Sequence, residues 1–158
     1  MRRLLTFAVL AALALPAASA ARIQGSNDGT LSVRDARGTI TISARGGVIG
    51  SFARGSVTIS DPIDGDGTGP VVTGDDWSKT KNDTTSTWGG TKVRFRMIGG
   101  TFKIVVRGRG INLSLVGKGT ITLNGAGTGA DGGYSVNGSD SSAMPDFPAT
   151  FFLSATSP

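Results

Sequence analysis

The fold is decided by residues 99–123, which read Gly-Gly-Thr-Phe-Lys-Ile-Val-Val-Arg-Gly-Arg-Gly-Ile-Asn-Leu-Ser-Leu-Val-Gly-Lys-Gly-Thr-Ile-Thr-Leu. At Gly100, Gly110 and Gly119 a glycine begins a run in which apolar residues, many of them β-branched, alternate with polar ones. Period-two alternation of this kind is the signature of a β-strand with one buried face. The stretch therefore predicts short strands separated by glycine-containing turns.

Glycine-led units of the same kind run through most of the chain. A first series begins at Gly29, Gly38, Gly47 and Gly55, and a second begins at Gly90 and continues into the stretch quoted above. The interval between successive glycines is nearly constant within each series. Each interval accommodates a strand of about five residues and a short turn. Because no window after Ala20 repeats apolar residues at helical spacing, we expect essentially no helix.

These units predict an all-β fold, an antiparallel β-sandwich or flattened barrel of about 8–10 short strands. Two four-strand meanders with hairpin turns at their glycines would be separated by a polar loop insertion at residues 60–89. Glycine-rich repeats of this length also build short parallel β-solenoids, some of them stapled by calcium bound to turn aspartates. Since the turns here hold mainly Arg, Lys and Ala, the antiparallel interpretation is favoured and the solenoid is the alternative.

The segment from Met1 to Ala20 has the pattern of a secretory signal peptide. Arg2 and Arg3 precede an apolar run at residues 4–15, and Ala18-Ser-Ala20 fits a cleavage site. The run is shorter than the roughly 20 residues that span a bilayer, which favours a cleaved leader over a membrane anchor. We therefore expect residues 21–158 to form one secreted, extracytoplasmic β-domain with no integral membrane segment.

The composition excludes several classes of function. All 11 acidic residues of the 158-residue chain are Asp, and the chain has no Glu, His or Cys. Disulfide scaffolds, thiolate metal sites, Ser-His-Asp triads and His-based acid–base catalysis need side chains that are missing here. Without Arg2 and Arg3 the net charge is 14 minus 11, or +3. So small a basic excess argues against a nucleic-acid partner.

Alternation assigns a face to each residue of two basic runs, 92–97 and 102–107. All of the charged residues of each run fall on one side, with Val105 among them, and the remaining apolar residues fall on the other. If the runs pair, their outer sides form a cationic plate suited to an anionic extracellular polymer or glycan. Charge on an outer face also maintains solubility, and this second explanation stays open. The plate would comprise Lys92, Arg94, Arg96, Lys103, Arg107 and Arg109.

Residues 64–75 overlap the spacing of a calcium-binding EF-hand loop. Oxygen ligands fall at loop positions 1, 3, 5 and 12, and Gly69 falls at position 6. Thr at position 5, Asp at position 12 and the lack of flanking helices depart from that pattern, so a turn-rich surface loop is the alternative. Calcium is the one cofactor that the sequence suggests. Its ligands would be Asp64, Asp66, Thr68 and Asp75.

Both tryptophans, Trp77 and Trp88, lie in the insertion at 60–89. Long loops on β-scaffolds often carry binding residues, and an indole ring can stack on a sugar. The alternative is that both rings anchor the loop to the end of the sandwich. The two interpretations differ in the exposure they predict for the rings.

Catalysis is not expected. A glycosidase would need two carboxylates held apart in different environments. The neighbouring pairs Asp64 with Asp66 and Asp75 with Asp76 lie in glycine-rich segments and suit this requirement poorly. A hydrolase with paired aspartates is therefore the weakest of three functional hypotheses.

Residues 99–123 resemble segments of small, secreted, glycine-rich β-proteins of high-GC Gram-positive bacteria. The resemblance implies an extracytoplasmic bacterial protein and transfers no functional residues. Together with the residue patterns it favours a secreted, non-enzymatic β-domain that binds or packs against extracellular or cell-envelope polymer, such as an anionic polysaccharide. The second hypothesis is a structural surface protein that assembles through its sheet edges.

Overall fold

The structure is a computed structural model that describes residues 27–154, so the predicted signal peptide lies outside the described residues. Between residues 27 and 154 all regular structure is β, and seven strands form one continuous antiparallel sheet. The strands are β1 (Gly29–Ser60), β2 (Gly67–Thr73), β3 (Trp77–Asn82), β4 (Thr85–Gly125), β5 (Gly133–Val136), β6 (Ser142–Ala143) and β7 (Ala149–Leu153).

Strands β1 and β4 are much longer than ordinary strands because each bends several times and continues as a strand. As a result, residues of one long strand pair with two separate stretches of the other. Ile40 pairs with both Val106 and Leu123, and Val57 pairs with both Trp88 and Val106. The order across the sheet is therefore Leu123, Ile40, Val106, Val57 and Trp88, and the two long strands wind around each other.

The winding divides the sheet into two layers, since successive segments of each long strand alternate between them. Layer A contains residues 38–45, 55–60, 85–89, 101–107 and 119–125 with β3 and β7 at its edges. Layer B contains residues 29–36, 47–52, 91–98 and 111–117 with β2 at one edge and β5 and β6 at the other. Two antiparallel arms wound together through two layers have the connectivity of a jelly-roll β-sandwich.

Glycines face one another where the sheet folds from one layer to the other. Gly38 pairs with Gly108 and Gly125, and Gly55 pairs with Gly90 and Gly108. The φ angle of Gly38 is 137°, and a Cβ atom there would lie 2.1 Å from the carbonyl oxygen of the neighbouring strand. A side chain therefore fits neither the backbone conformation nor the space. A second line of glycines, including Gly46 and Gly117, lies at the other end of the two layers, where the sheet bends again from one layer to the other.

The apolar core lies between the two layers and draws on both long strands. The predicted face assignment is confirmed, because the side chains of the two basic runs predicted to point inward are buried and the cations of the same runs are exposed. The buried side chains of these runs are Val93, Phe95, Met97, Phe102, Ile104 and Val106.

The predicted all-β, antiparallel class is confirmed, but the predicted meanders are wrong. Consecutive segments of a long strand lie in opposite layers and pair with the other long strand. Glycines such as Gly55 are bends, not hairpin turns, since the chain continues forward through them. Antiparallel pairing throughout residues 27–154 also contradicts the parallel solenoid.

The predicted loop insertion at 60–89 is largely strand. β2 pairs with residues 94–99 at an edge of layer B, and β3 pairs with residues 85–89 at an edge of layer A. Edge strands with one free side do not need the strict apolar alternation that marks a half-buried strand. Nearly every residue of β2 and β3 is exposed, and this is why the sequence pattern did not reveal them.

Candidate functional site

A groove of about 690 Å³ lies on the outer surface of layer B. Four segments of the two long strands and the edge strand β2 form its floor and walls, so its shape is set by the sheet itself. The side chains and backbone that line it belong to Ser32, Val33, Arg34, Ile49, Gly50, Ser51, Val71, Thr73, Arg94, Phe95, Arg96, Asn112, Leu113 and Ser114.

Three arginines give the groove a positive charge, and no carboxylate from residues 27–154 lines it. Arg94 pairs in the sheet with Ser51 and Thr73, and Arg96 pairs with Ile49 and Val71 on the same strands. Arg34, Arg94 and Arg96 are exposed and form no ion pair within 4.0 Å among residues 27–154. Their guanidinium groups therefore retain planar sets of donors that suit carboxylate or phosphate oxygens.

Hydroxyl and amide groups lie between the arginines. Ser32, Ser51, Ser114 and Thr73 can each donate or accept a hydrogen bond. Asn112 is held in place, because its Oδ1 accepts from the backbone N–H of the neighbouring strand at 3.1 Å and its Nδ2 donates to its own strand at 3.2 Å. The polar side chains of the groove thus sit on a rigid backbone.

Apolar side chains complete the groove. Ile49 is 55% exposed and Val71 is 43% exposed, although both belong to regular strands. The aromatic ring in the lining, Phe95, is buried beneath the floor and offers no stacking surface. The groove therefore combines positive charge, hydroxyls and small aliphatic patches, and the described part of the chain places no exposed aromatic ring in it.

The sheet divides the predicted cationic plate between two surfaces. Arg94 and Arg96 lie on the outer surface of layer B, whereas Lys103 and Arg107 lie on the outer surface of layer A. The two basic runs do not pair with each other, because the bend at Gly99 and Gly100 carries them into different layers.

The two remaining residues of the predicted plate lie at a fold of the sheet. Lys92 has a φ of 58° and sits where β4 turns from layer A into layer B. Arg109 lies at the same fold, between two bend glycines, and pairs with Arg37 and Arg54 of β1. Neither residue lines the groove.

The two tryptophans have different environments. Trp88 is partly buried and packs against the core, as the anchoring interpretation predicts. Trp77 is 50% exposed and lies over Gly89, where a Cβ atom would be 2.2 Å from the indole ring. The glycine thus allows one ring face to rest on the sheet of layer A. Both rings lie away from the groove of layer B.

The predicted calcium ligands are not brought together in one loop. β2 begins directly after Asp66 and runs almost to Asp75, so about 23 Å of extended chain separates the two at roughly 3.3 Å per residue. Asp66 accepts a hydrogen bond from the backbone N–H of Thr101 at 2.9 Å. Thr68 exchanges hydrogen bonds of 3.0 Å with the backbone of Ile98. Across residues 27–154 no cluster of three or more Asp side chains has the arrangement of a metal site.

A second cavity of about 460 Å³ lies at the end of the sandwich beside Trp88. Asp61, Asp64 and Asp83 contribute to its lining, and Oδ1 of Asp61 is buried without a hydrogen-bond partner in the described part of the chain. Asp61 as a whole is only partly buried. Of the proposed catalytic pairs, only Asp64 lines this cavity, and Asp76 accepts from the backbone N–H of Thr91 at 3.0 Å.

Asp131 is a buried carboxylate on the loop before β5, and Thr128 supplies it with two hydrogen-bond donors. The side-chain hydroxyl of Thr128 donates to its carboxylate, and the backbone N–H of Thr128 donates at 3.0 Å. These bonds hold the pKa of Asp131 below the usual aspartate value, against the opposing effect of burial. Because Asp131 also accepts from Arg37 through its backbone carbonyl, it fixes the loop before β5 to the edge of β1.

Sequence reasoning found only two of the groove's charged residues and missed Arg34, Ser51, Asn112 and Thr73. These four come from β1, β2 and a different segment of β4. A repeat of two consecutive glycine-led units is the sequence pattern that indicates which segments lie in the same layer. Gly38 and Gly55 lie two glycine units apart and occupy equivalent places in the wound strand.

Comparison with known proteins gives no relative from which a role could be transferred. No family model matches the chain, no similar curated protein is found, and no solved structure is similar. No helix long and apolar enough to span a bilayer occurs among residues 27–154.

Proposed function

We propose that this protein is a non-enzymatic carbohydrate-binding domain that holds an acidic polysaccharide, one whose sugar rings bear carboxylates, in the groove of layer B. The observation that carries the proposal is the set of three arginines without ion-pair partners among residues 27–154, placed among hydroxyls in a groove that no carboxylate lines. A uronate chain matches each part of that lining, since it presents carboxylates, hydroxyls and apolar ring faces.

The balance of the lining favours a glycan over other polyanions. Carboxylates on successive sugars would accept from Arg94 and Arg96, and ring hydroxyls would bond to Ser51 and Thr73. The exposed aliphatic surface of Ile49 suits the apolar face of a sugar ring. Single-stranded nucleic acid binding generally uses exposed aromatic rings for base stacking, and the groove has none.

The predicted secretory leader supports an extracellular role. Its cleavage would deliver the domain to the compartment in which acidic polysaccharides and cell-envelope polymers occur. The chain has no cysteine, so the domain depends on its core and its strand pairing for stability.

Three of the four sheet edges favour this proposal over a structural protein that assembles edge to edge. β3 carries Lys79 and Lys81 and has an irregular register, and β2 contains Pro70 beside a register shift. Lysine, proline and irregular register on an edge strand all oppose pairing with another molecule. β6 is only 2 residues long.

Binding of the purified protein to polygalacturonate tests the proposal. Replacement of both Arg94 and Arg96 by Ala should weaken binding at least tenfold, a loss of about 1.4 kcal/mol. The matched control replaces Lys103 and Arg107 by Ala, because it removes the same charge from layer A and should keep nearly full affinity. A neutral glucan should not bind to any of these proteins.

Two results would overturn the proposal. Equal losses in the groove variant and the layer A variant would show that only net charge matters. Preferential binding of a phosphate-rich polymer such as teichoic acid, with polygalacturonate ignored, would show that the groove selects a different anion.

A further inference from the structure

Three arginines lie side by side at the fold of the sheet next to the groove. Arg109 of β4 pairs with Arg37 on one neighbouring segment of β1 and with Arg54 on the other. Paired residues in an antiparallel sheet have Cα atoms about 4.5–5.5 Å apart, so the three residues span about 10 Å. Arg37, Arg54 and Arg109 are named here the arginine corner, and all three are exposed.

A backbone irregularity in each of the three strand segments turns these arginines toward solvent. In β1 the buried residues Leu31 and Val33 would place residue 37 inward by simple alternation, but Asp35 adopts a φ of 48° and the register shifts there. Ala36 is buried as a result, and Arg37 faces out. A β-bulge re-aims the side chains that follow it in this way.

The other two segments, a later part of β1 and the part of β4 around Arg109, show the same shift. Phe52 is buried and is followed by two exposed residues, Ala53 and Arg54, instead of by one. In β4, Gly110 has a φ of 63° between buried Ile111 and exposed Arg109. Three separate backbone irregularities therefore bring three cations to one side of the sheet.

The arginine corner is unfavourable for the protein alone. Like charges on directly opposed strand positions destabilise a sheet, and none of the three arginines has an ion-pair partner within 4.0 Å among residues 27–154. Asp35, two residues before Arg37, is exposed and forms no ion pair within 4.0 Å among residues 27–154, and the carboxylates of Asp76 and Asp131 accept from the N–H groups of Thr91 and Thr128. A bound polyanion would remove the mutual repulsion.

The corner continues the groove along the strand direction. Ser51 and Asn112 line the groove, and Arg54 and Arg109 follow them at a distance of three residues, about 10 Å along a strand. The corner lies on the groove side of the bend glycines Gly38, Gly55 and Gly108, and only the irregularities at Asp35, Ala53 and Gly110 separate it from the groove.

We infer that the arginine corner is a second anion-binding subsite that extends the groove, so that the domain holds an acidic polysaccharide over a greater length than the groove alone. The inference rests on the proposed function. Arg37, Arg54 and Arg109 would bind the carboxylates of the sugar units that extend beyond the groove. A short oligosaccharide occupies the groove only, whereas a long one reaches the corner.

Titration calorimetry with galacturonic acid oligomers tests this inference at one fixed ionic strength. Replacement of Arg54 and Arg109 by Ala should weaken binding of a decamer about tenfold or more, given the strength of charge-assisted contacts, and leave a trimer unchanged. The matched control replaces Arg45 and Lys118 by Ala. These two cations pair with each other at the opposite fold and lie on the layer A side of it.

The outcomes separate the inference from the proposal on which it rests. A decamer that binds the Arg54 and Arg109 variant as tightly as the wild type, or an equal loss in the control, would overturn the subsite. Loss of trimer binding in the Arg94 and Arg96 variant supports the groove independently of that result. The denaturation midpoint of the corner variant should stay equal or rise, since repulsion is removed, whereas a purely structural role predicts a fall.

Discussion

The side-chain amide of Asn137 donates from Nδ2 to the backbone carbonyl oxygen of Phe152 at 2.8 Å. Its Oδ1 accepts from the backbone N–H groups of Thr30 and Ser154 at 3.3 Å each. Thr30 belongs to layer B and Phe152 to layer A, so one side chain connects the layers. It also occupies part of the edge that β7 would otherwise leave open for pairing.

Replacement of Asn137 by Gly should therefore destabilise the fold. Glycine tolerates the φ of 53° at this position, so the change removes the hydrogen bonds without adding backbone strain. We expect a loss of about 2 kcal/mol in the free energy of unfolding, because three hydrogen bonds that join the two layers are lost together. Urea denaturation measures it, with Asn124→Ala as the control. A loss below about 0.5 kcal/mol would contradict a connecting role.

The bend glycines should be intolerant of even one methyl group. At Gly55 a Cβ atom would lie 2.1 Å from the carbonyl oxygen of Arg107, and φ is 156°. Gly55→Ala should cost about 3 kcal/mol or more, as strain and a backbone clash add together. Gly69→Ala is the control, because no atom lies within 4 Å of a Cβ there. Similar unfolding curves for both variants would contradict the bend of the sheet at Gly55.

The stability of the protein should fall in acid partly through Asp131. Because hydrogen bonds from Thr128 lower its pKa in the folded state, the folded protein binds this proton less tightly than the unfolded chain does. The stabilisation is complete above the unfolded value, about pH 4, and is lost as the pH falls through the lower folded value.

Melting temperatures of the wild type and Asp131→Asn between about pH 2 and pH 6 check this expectation. The two proteins should differ most at the upper end of the range and converge in acid. A difference that stays constant over the whole range would show that the carboxylate does not couple to folding.

The two tryptophans should be distinguishable in solution. Trp77 rests on Gly89 with half of its surface exposed, whereas Trp88 packs against the core. Trp88→Phe should leave a red-shifted emission that acrylamide quenches readily, and Trp77→Phe should leave a blue-shifted, protected emission. Equal quenching of the two variants would contradict the placement of both rings.

The sequence could predict which side of each strand is buried but not which strands are neighbours. Val93, Phe95 and Met97 were assigned correctly because alternation is a local property of the chain. A hairpin turn and a bend both favour glycine, so Gly55 alone does not reveal whether the chain reverses or continues. That difference depends on partners far along the chain, at Gly90 and Gly108.

The same limit applies to the candidate site. Arg94 and Arg96 could be found because their cationic side alternates with a buried one. Arg34 and Arg37 could not, because the bulge at Asp35 interrupts the alternation between them. The sequence Ala36-Arg37-Gly38 does recur as Ala53-Arg54-Gly55 after one full turn of the wound strand. Only the strand register shows that both copies lie beside Arg109.

The most direct test of the account is to map the bound ligand onto the two outer surfaces. Backbone amide signals of the isotope-labelled protein would be followed by NMR during titration with a galacturonic acid oligomer. The account predicts that residues 32–34, 49–51, 94–96 and 112–114 shift together while the outward residues of 39–45 and 119–125 stay unchanged. Shifts confined to layer A, or no saturable shifts at all, would contradict it.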